Sequence, residues 1–321
     1  MSLLFGLRGI NAGSDTSNYV SAFNDITTNF NSYQELARTF VTNGITAAEP
    51  SFMLFAYVMK VLGFSAEFYL VAVVFVSLYI IYLAHVRLVS HPLLCLVLYM
   101  VSISAVSLHA NVIRQGMAVG FVLLAISFIQ VNKTKPAIFA FIIASTFHFS
   151  AVAAAFFVIP AMRKMKLKYY WFSLLLLVFL LSSGLLSNLI TLGLPRIFAI
   201  KLARYFQVGF ESLLTFKVLN FFIFVLALEV AKKYSPRNIE SIDNIYRCYF
   251  SFFLLQLLFV GNIIASERFG LYRFILEPII IVIFVSAFRE KKFVKIILSI
   301  LAFIYGCIVY NIPGIKNMLT G

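Results

Sequence analysis

Charge is scarce in this chain, and acidic charge is scarcest. Asp, Glu, Lys and Arg make up 12% of the 321 residues, hydrophobic residues make up 62%, and the mean hydropathy is +0.98. A soluble core of this length has no room for that much apolar surface. The apolar residues run in blocks close to the roughly 20 residues that a helix needs to cross a bilayer. The shortage of charge therefore excludes a soluble domain and implies an all-α, polytopic helical membrane protein. Asp and Glu number 12 against 26 Lys and Arg, for a net charge of +14. Cytoplasmic loops of membrane proteins collect Lys and Arg, so the surplus implies no nucleic-acid partner, although it leaves room for an anionic substrate. Cysteine is equally sparse. Cys95, Cys248 and Cys307 each sit inside an apolar block without metal-ligand spacing, and no CxxC pair or His-rich tract occurs. There is no P-loop, GxSxG or HExxH motif, so nucleotide hydrolysis and zinc or serine hydrolase chemistry have nothing to rest on, and neither a metal nor a cofactor is expected. Met1 to Leu7 is too short for the apolar region of a signal peptide, and Arg8 follows it at once.

What is present organises as a single membrane domain, with a polar external loop at 9–49, a short helix at 51–63 and a helical bundle over 66–311. Full spans are expected at 66–84, 92–108, 113–130, 169–187, 213–231, 244–262, 269–288 and 293–311, about eight in all. Basic clusters fall at Arg87, at Lys133 and Lys135, and at 163–168, 232–237 and 289–295. A single span over 136–160 would separate two of these clusters across the membrane. Two half-length helices turning near His148 keep all five on one side, which the positive-inside rule favours. The acid-rich segment 9–49 then lies outside, and 196–212 suits an amphipathic surface helix.

Ionisable side chains at membrane depth are costly, so each invites a functional hypothesis. Leu7 to Tyr19 holds Arg8 and Asp15 in a Gly-, Asn- and Ser-rich stretch that argues for a tight turn, with Asp15 as a cap or a reactive carboxylate. Asn111, Arg114 and Gln115, at spacings of three and four, share one helical face, where Arg114 either grips a phosphate with its planar fork or snorkels to the interface. His148 is an acid–base candidate or a buried histidine satisfied by Ser150. Glu267, Arg268 and Arg273 offer cations for a diphosphate, or a local pair of Arg273 with Glu277.

Together these segments resemble the EpsG family of Wzy-like polysaccharide polymerases. The resemblance is carried by Arg8, Gly13, Asp15, Thr16 and Tyr19, then Glu49, then Asn111, Arg114, Gln115, Gly116 and Ala118, then His148 and Ser150, and last Arg268 and Tyr272. It implies polymerisation of undecaprenyl-diphosphate-linked repeat units at the outer face of the bacterial plasma membrane, metal-independently and with a GT-C-like layout. Membrane lipids and polysaccharide export and chain-length proteins are the implied partners. It also implies Asp15, Glu49 and His148 as catalytic candidates, with Arg8, Asn111, Arg114, Gln115, Arg268 and Arg273 holding the diphosphate. The family opens with a complete transmembrane helix ahead of the LRG motif, whereas seven residues precede Arg8 here, so a late start is expected. A transporter or flippase of lipid-linked glycans would show discontinuous helices, and a membrane O-acyltransferase would centre on His148.

Overall fold

The computed structural model describes residues 15–27, 33–45, 49–183, 216–261, 263–288 and 291–310, and these contain helices and no strand. Three short helices come first, α1 (Thr16–Asp25), α2 (Tyr33–Thr42) and α3 (Pro50–Val61), followed by the long α4 (Ala66–Leu88). Next come α5 (Pro92–Met100), α6 (Ile103–Val106) with a π-helical turn at Ser107–Asn111, α7 (Ile113–Gln130), α8 (Thr134–Phe147) and α9 (Ser150–Met162). The remaining helices are α10 (Leu167–Ser182), α11 (Phe216–Tyr234), α12 (Ile239–Leu258), α13 (Ile263–Phe274), α14 (Glu277–Ala287) and α15 (Lys291–Tyr310). They fall into two compact units, the first of residues 1–152 with 290–321 and the second of residues 153–289.

Among the described residues three stretches are long and apolar enough to cross a membrane, Ala66–Leu88, Ile113–Gln130 and Ile264–Ala287. The other expected spans are present as helices but do not all reach that standard. At 16 residues α10 is short, and α12 carries Asp243, Asn244, Arg247 and Gln256. The expected span at 92–108 is bent by 71° between Pro92–Met100 and Ile103–Asn111. Ser102 causes the break by capping a new helix, its hydroxyl accepting from the Ala105 amide at 3.2 Å. The Tyr99 hydroxyl meets His109 Nε2 at 2.8 Å, which ties the two arms together. The 196–212 segment and Arg8 lie outside the described residues.

In the first unit α7 packs between α4 and α8. Ser77 donates to the Gly116 carbonyl at 3.0 Å, and the Arg87 guanidinium lies 5.0 Å from the centroid of the Phe128 ring. These two contacts set α4 and α7 running in the same direction, with Arg87 and the Lys133 turn at one end. Arg114 lies at the other end of α7, about 25 Å away at 1.5 Å per residue. Within the 9–49 segment, expected as loop, Thr16–Asp25 and Tyr33–Thr42 form α1 and α2. Their apolar faces bury Tyr19, Phe23 and Phe40, which pack with Phe52 and Tyr69. The half-length helices expected on either side of His148 are α8 and α9, and His148 itself is extended (φ −157°, ψ 125°).

In the second unit α12 packs against α10, α11 and α13, and α11 also packs against α14. Phe221 stacks on Phe253 with centroids 3.8 Å apart and also packs on Tyr249 and Phe250. Aromatic packing of this kind adds to the burial that holds α11 against α12.

Candidate functional site

Two helix starts and one helix break place the polar groups of the first unit. Pro50 occupies the first turn of α3, where its missing N–H costs nothing, and this leaves Glu49 at the cap position. The helix α7 begins at Ile113 because Val112 adopts φ −97°, ψ 59°, ending the π turn. Asn111 is therefore on the turn and not on the face of α7, so helical spacing does not unite it with Arg114. Gln115 is fully buried beside Arg114. The following glycine is explained by close approach, since a Cβ on Gly116 would lie 2.6 Å from the Leu108 carbonyl oxygen.

Arg114 neither snorkels nor points to solvent. Its Nη1 donates to Glu49 Oε2 at 2.8 Å and its Nε donates to the Tyr19 hydroxyl at 3.2 Å, with the guanidinium 5.7 Å from the Tyr19 ring centroid. The other oxygen of Glu49 accepts from the Phe149 amide at 3.3 Å and lies 3.8 Å from His148 Nε2. His148 Nδ1 accepts from the Ser150 amide at 3.3 Å and sits 2.6 Å from Ser150 Oγ. With Nδ1 an acceptor, the network assigns the proton to Nε2, facing Glu49. Ser51 donates to Thr146 Oγ1 at 2.7 Å, so the start of α3 meets the end of α8 beside this cluster.

Burial pushes the Tyr19 phenol above its ordinary value; Arg114 pulls it back, and the carboxylates of Asp15 and Glu49 push it further up. Tyr19 is thus a neutral donor and acceptor, and Asp15 lies near enough to act on it. Asp15, Tyr19, Glu49, Arg114 and His148 form one cluster drawn from four distant segments. The positive ends of α3, α7 and α9 all open here, and that arrangement favours an anion.

The second unit holds its own buried cation. Arg273 Nη1 donates to the Tyr249 hydroxyl at 3.1 Å and to the Lys217 carbonyl at 3.4 Å, and Nη2 lies 4.0 Å from Glu277 Oε1. The expected pairing of Arg273 with Glu277 four residues on is therefore present but loose. Tyr249 lies 3.3 Å from Glu277 Oε1 and 3.5 Å from Asn220 Oδ1. The rings of Tyr249, Phe253 and Phe274 enclose the guanidinium. Arg268, five residues earlier, is exposed, so the two arginines do not share a face.

Sequence reasoning singled out Arg114, Glu49 and His148 separately but missed that Glu49 joins the other two. It also missed Tyr249 and Asn220, for which no local signal exists. Among the described residues no group of three or more His, Cys, Asp or Glu is arranged to hold a metal.

These helices and buried ionisable clusters define a multi-pass helical membrane protein. A model of the EpsG family matches residues 1–317, essentially the whole chain, and the chain belongs to that family of Wzy-like polysaccharide polymerases. No curated protein and no solved structure matches it.

Proposed function

We propose that the chain polymerises oligosaccharide repeat units carried on undecaprenyl diphosphate, by glycosyl transfer at the outer face of the bacterial plasma membrane. The observation that carries this is the Arg114–Glu49 pair, buried together with Tyr19 and His148 at the end of α7 remote from Arg87 and Lys133. By the positive-inside rule that end faces outward. A leaving diphosphate needs fixed cations for its developing charge, and Arg114 supplies one within a ring of helix N-termini. Arg8 and the exposed Arg268 are the further candidate cations for the diphosphate, whereas Arg273 is enclosed by aromatic rings. The acceptor hydroxyl must lose its proton to a base. Both oxygens of Glu49 are engaged, so Glu49 holds Arg114 and His148 in place, and Asp15, half-buried at the start of α1, is the carboxylate within reach of an incoming acceptor.

The test is polymerisation of purified lipid-linked repeat units by Asp15→Asn and Glu49→Gln. Each substitution keeps shape and removes the carboxylate, so the rate falls by roughly 10²–10⁴. A parent rate in Asp15→Asn would refute Asp15 as the base, and parent rates in both variants would refute the site. The 71° break at 100–103 favours one rival, a transporter of lipid-linked glycans, because discontinuous helices build such sites. Movement of repeat units across liposomes without any polymer would establish that reading instead.

A further inference from the structure

A cavity of about 330 Å³ lies in the second unit between α9, α10 and α12. Phe156, Pro160, Leu177 and Leu254 line its length, Met165 and Tyr169 line one end, and apart from Ser173 and Ser251 its side chains are apolar or aromatic. It has room for a segment of hydrocarbon chain. The Met165 end belongs to the loop that carries Arg163, Lys164 and Lys166, with Lys168 in the first turn of α10, all exposed.

These cations are not equivalent. Lys164 is bound to Glu240. Arg163 and Lys166 make no ion pair among the described residues, and Lys168 Nζ lies 5.3 Å from the ring centroid of Tyr169, at the mouth of the cavity. Arg247 fixes the loop by donating its Nε to the Met165 carbonyl at 3.0 Å. A dry slot thus ends beneath unpaired positive charge, on a loop that the positive-inside rule places at the cytoplasmic surface.

We propose that this slot is a specific site for an anionic phospholipid of the bilayer, one acyl chain filling the cavity and the phosphate held by Lys166 and Lys168. Hydrocarbon at one end and net negative charge at the other match the site, whereas a zwitterionic lipid brings its phosphate together with a cation that the lysines repel. The glycan carrier fits less well, because its diphosphate is handled at the opposite face in the reaction proposed above. That exclusion of the carrier rests on the proposed reaction, whereas the slot and its cations do not.

Native mass spectrometry of the full chain, with phosphatidylglycerol and phosphatidylcholine in competition, tests the proposal. Phosphatidylglycerol should be retained in a one-to-one complex with a preference on the order of tenfold, as two lysines near an anionic headgroup provide. Lys166→Gln with Lys168→Gln should bring it down to the phosphatidylcholine level. Ser173→Trp, which fills the slot and leaves the cations, should abolish retention of both lipids there. Equal retention of the two lipids by the parent protein overturns the proposal without any variant having to fold. So does parent-like retention in both variants, or displacement of phosphatidylglycerol by equimolar undecaprenyl diphosphate.

Discussion

Arg114 in the first unit and Arg273 in the second each donate to a tyrosine hydroxyl, lie over that tyrosine's ring and face a glutamate. The resemblance ends at the glutamate. Arg114 keeps 12% of its side chain exposed and holds Glu49 at 2.8 Å, whereas Arg273 is 0% exposed and stands 4.0 Å from Glu277. Nε and Nη2 of Arg273 have no hydrogen-bond partner, and aromatic rings close around them. Cation–π attraction offsets part of the cost of that burial. Arg273 also ties the helices together, reaching Lys217 on α11, Tyr249 on α12 and Glu277 on α14 from its own α13. The difference shows what a buried arginine can be for. Arg114 is held by a close carboxylate at a partly open helix end, and Arg273 is arranged to hold four helices in register.

That contrast can be broken by substitution. The largest effect on rate is expected from Glu49→Gln, which removes the charge that orders both Arg114 and His148; polymerisation should fall by roughly 10²–10⁴, beyond what the stability lost with the ion pair accounts for. Arg273→Ala should do the reverse, destabilising the protein by about 3–5 kcal/mol in detergent unfolding because it strands Glu277 in the interior. If Arg273→Lys kept its stability and lost activity, Arg273 would join the substrate site and the contrast would fail. Gly116→Ala is expected to cost about 1–3 kcal/mol, since its Cβ would push against the Leu108 carbonyl and separate α7 from the π turn. The smallest effect is topological. Single cysteines at Lys133 and Lys166 should label from the same side without loss of activity, and labelling from opposite sides would remove the turn near His148.

Parts of this arrangement are visible in the sequence. The limits of α7 coincide with an apolar run bounded by Arg114 and Asn132, and the FHFS stretch marks the break between α8 and α9 because it interrupts continuous apolar residues. The break at Val101 and Ser102 is not visible in this way, because the run from 92 to 108 is almost wholly apolar and Ser102 acts only through a local cap. Residues 9–49 read as loop from their polar composition, yet a few aromatics on one face suffice to fold α1 and α2 onto α3 and α4. The pairing of Arg114 with Glu49 bridges 65 residues, and that of Arg114 with Tyr19 bridges 95. Spacing rules act over one or two helical turns and cannot reach so far.

The most direct measurement is polymer formation by Arg114→Lys with purified lipid-linked repeat units. A point ammonium keeps the charge but cannot reproduce the planar fork that bonds Glu49 and Tyr19 and would grip a diphosphate. The account predicts that the lysine variant is nearly as inactive as Arg114→Ala while folding normally. Polymer of full length from Arg114→Lys at the parent rate would contradict it.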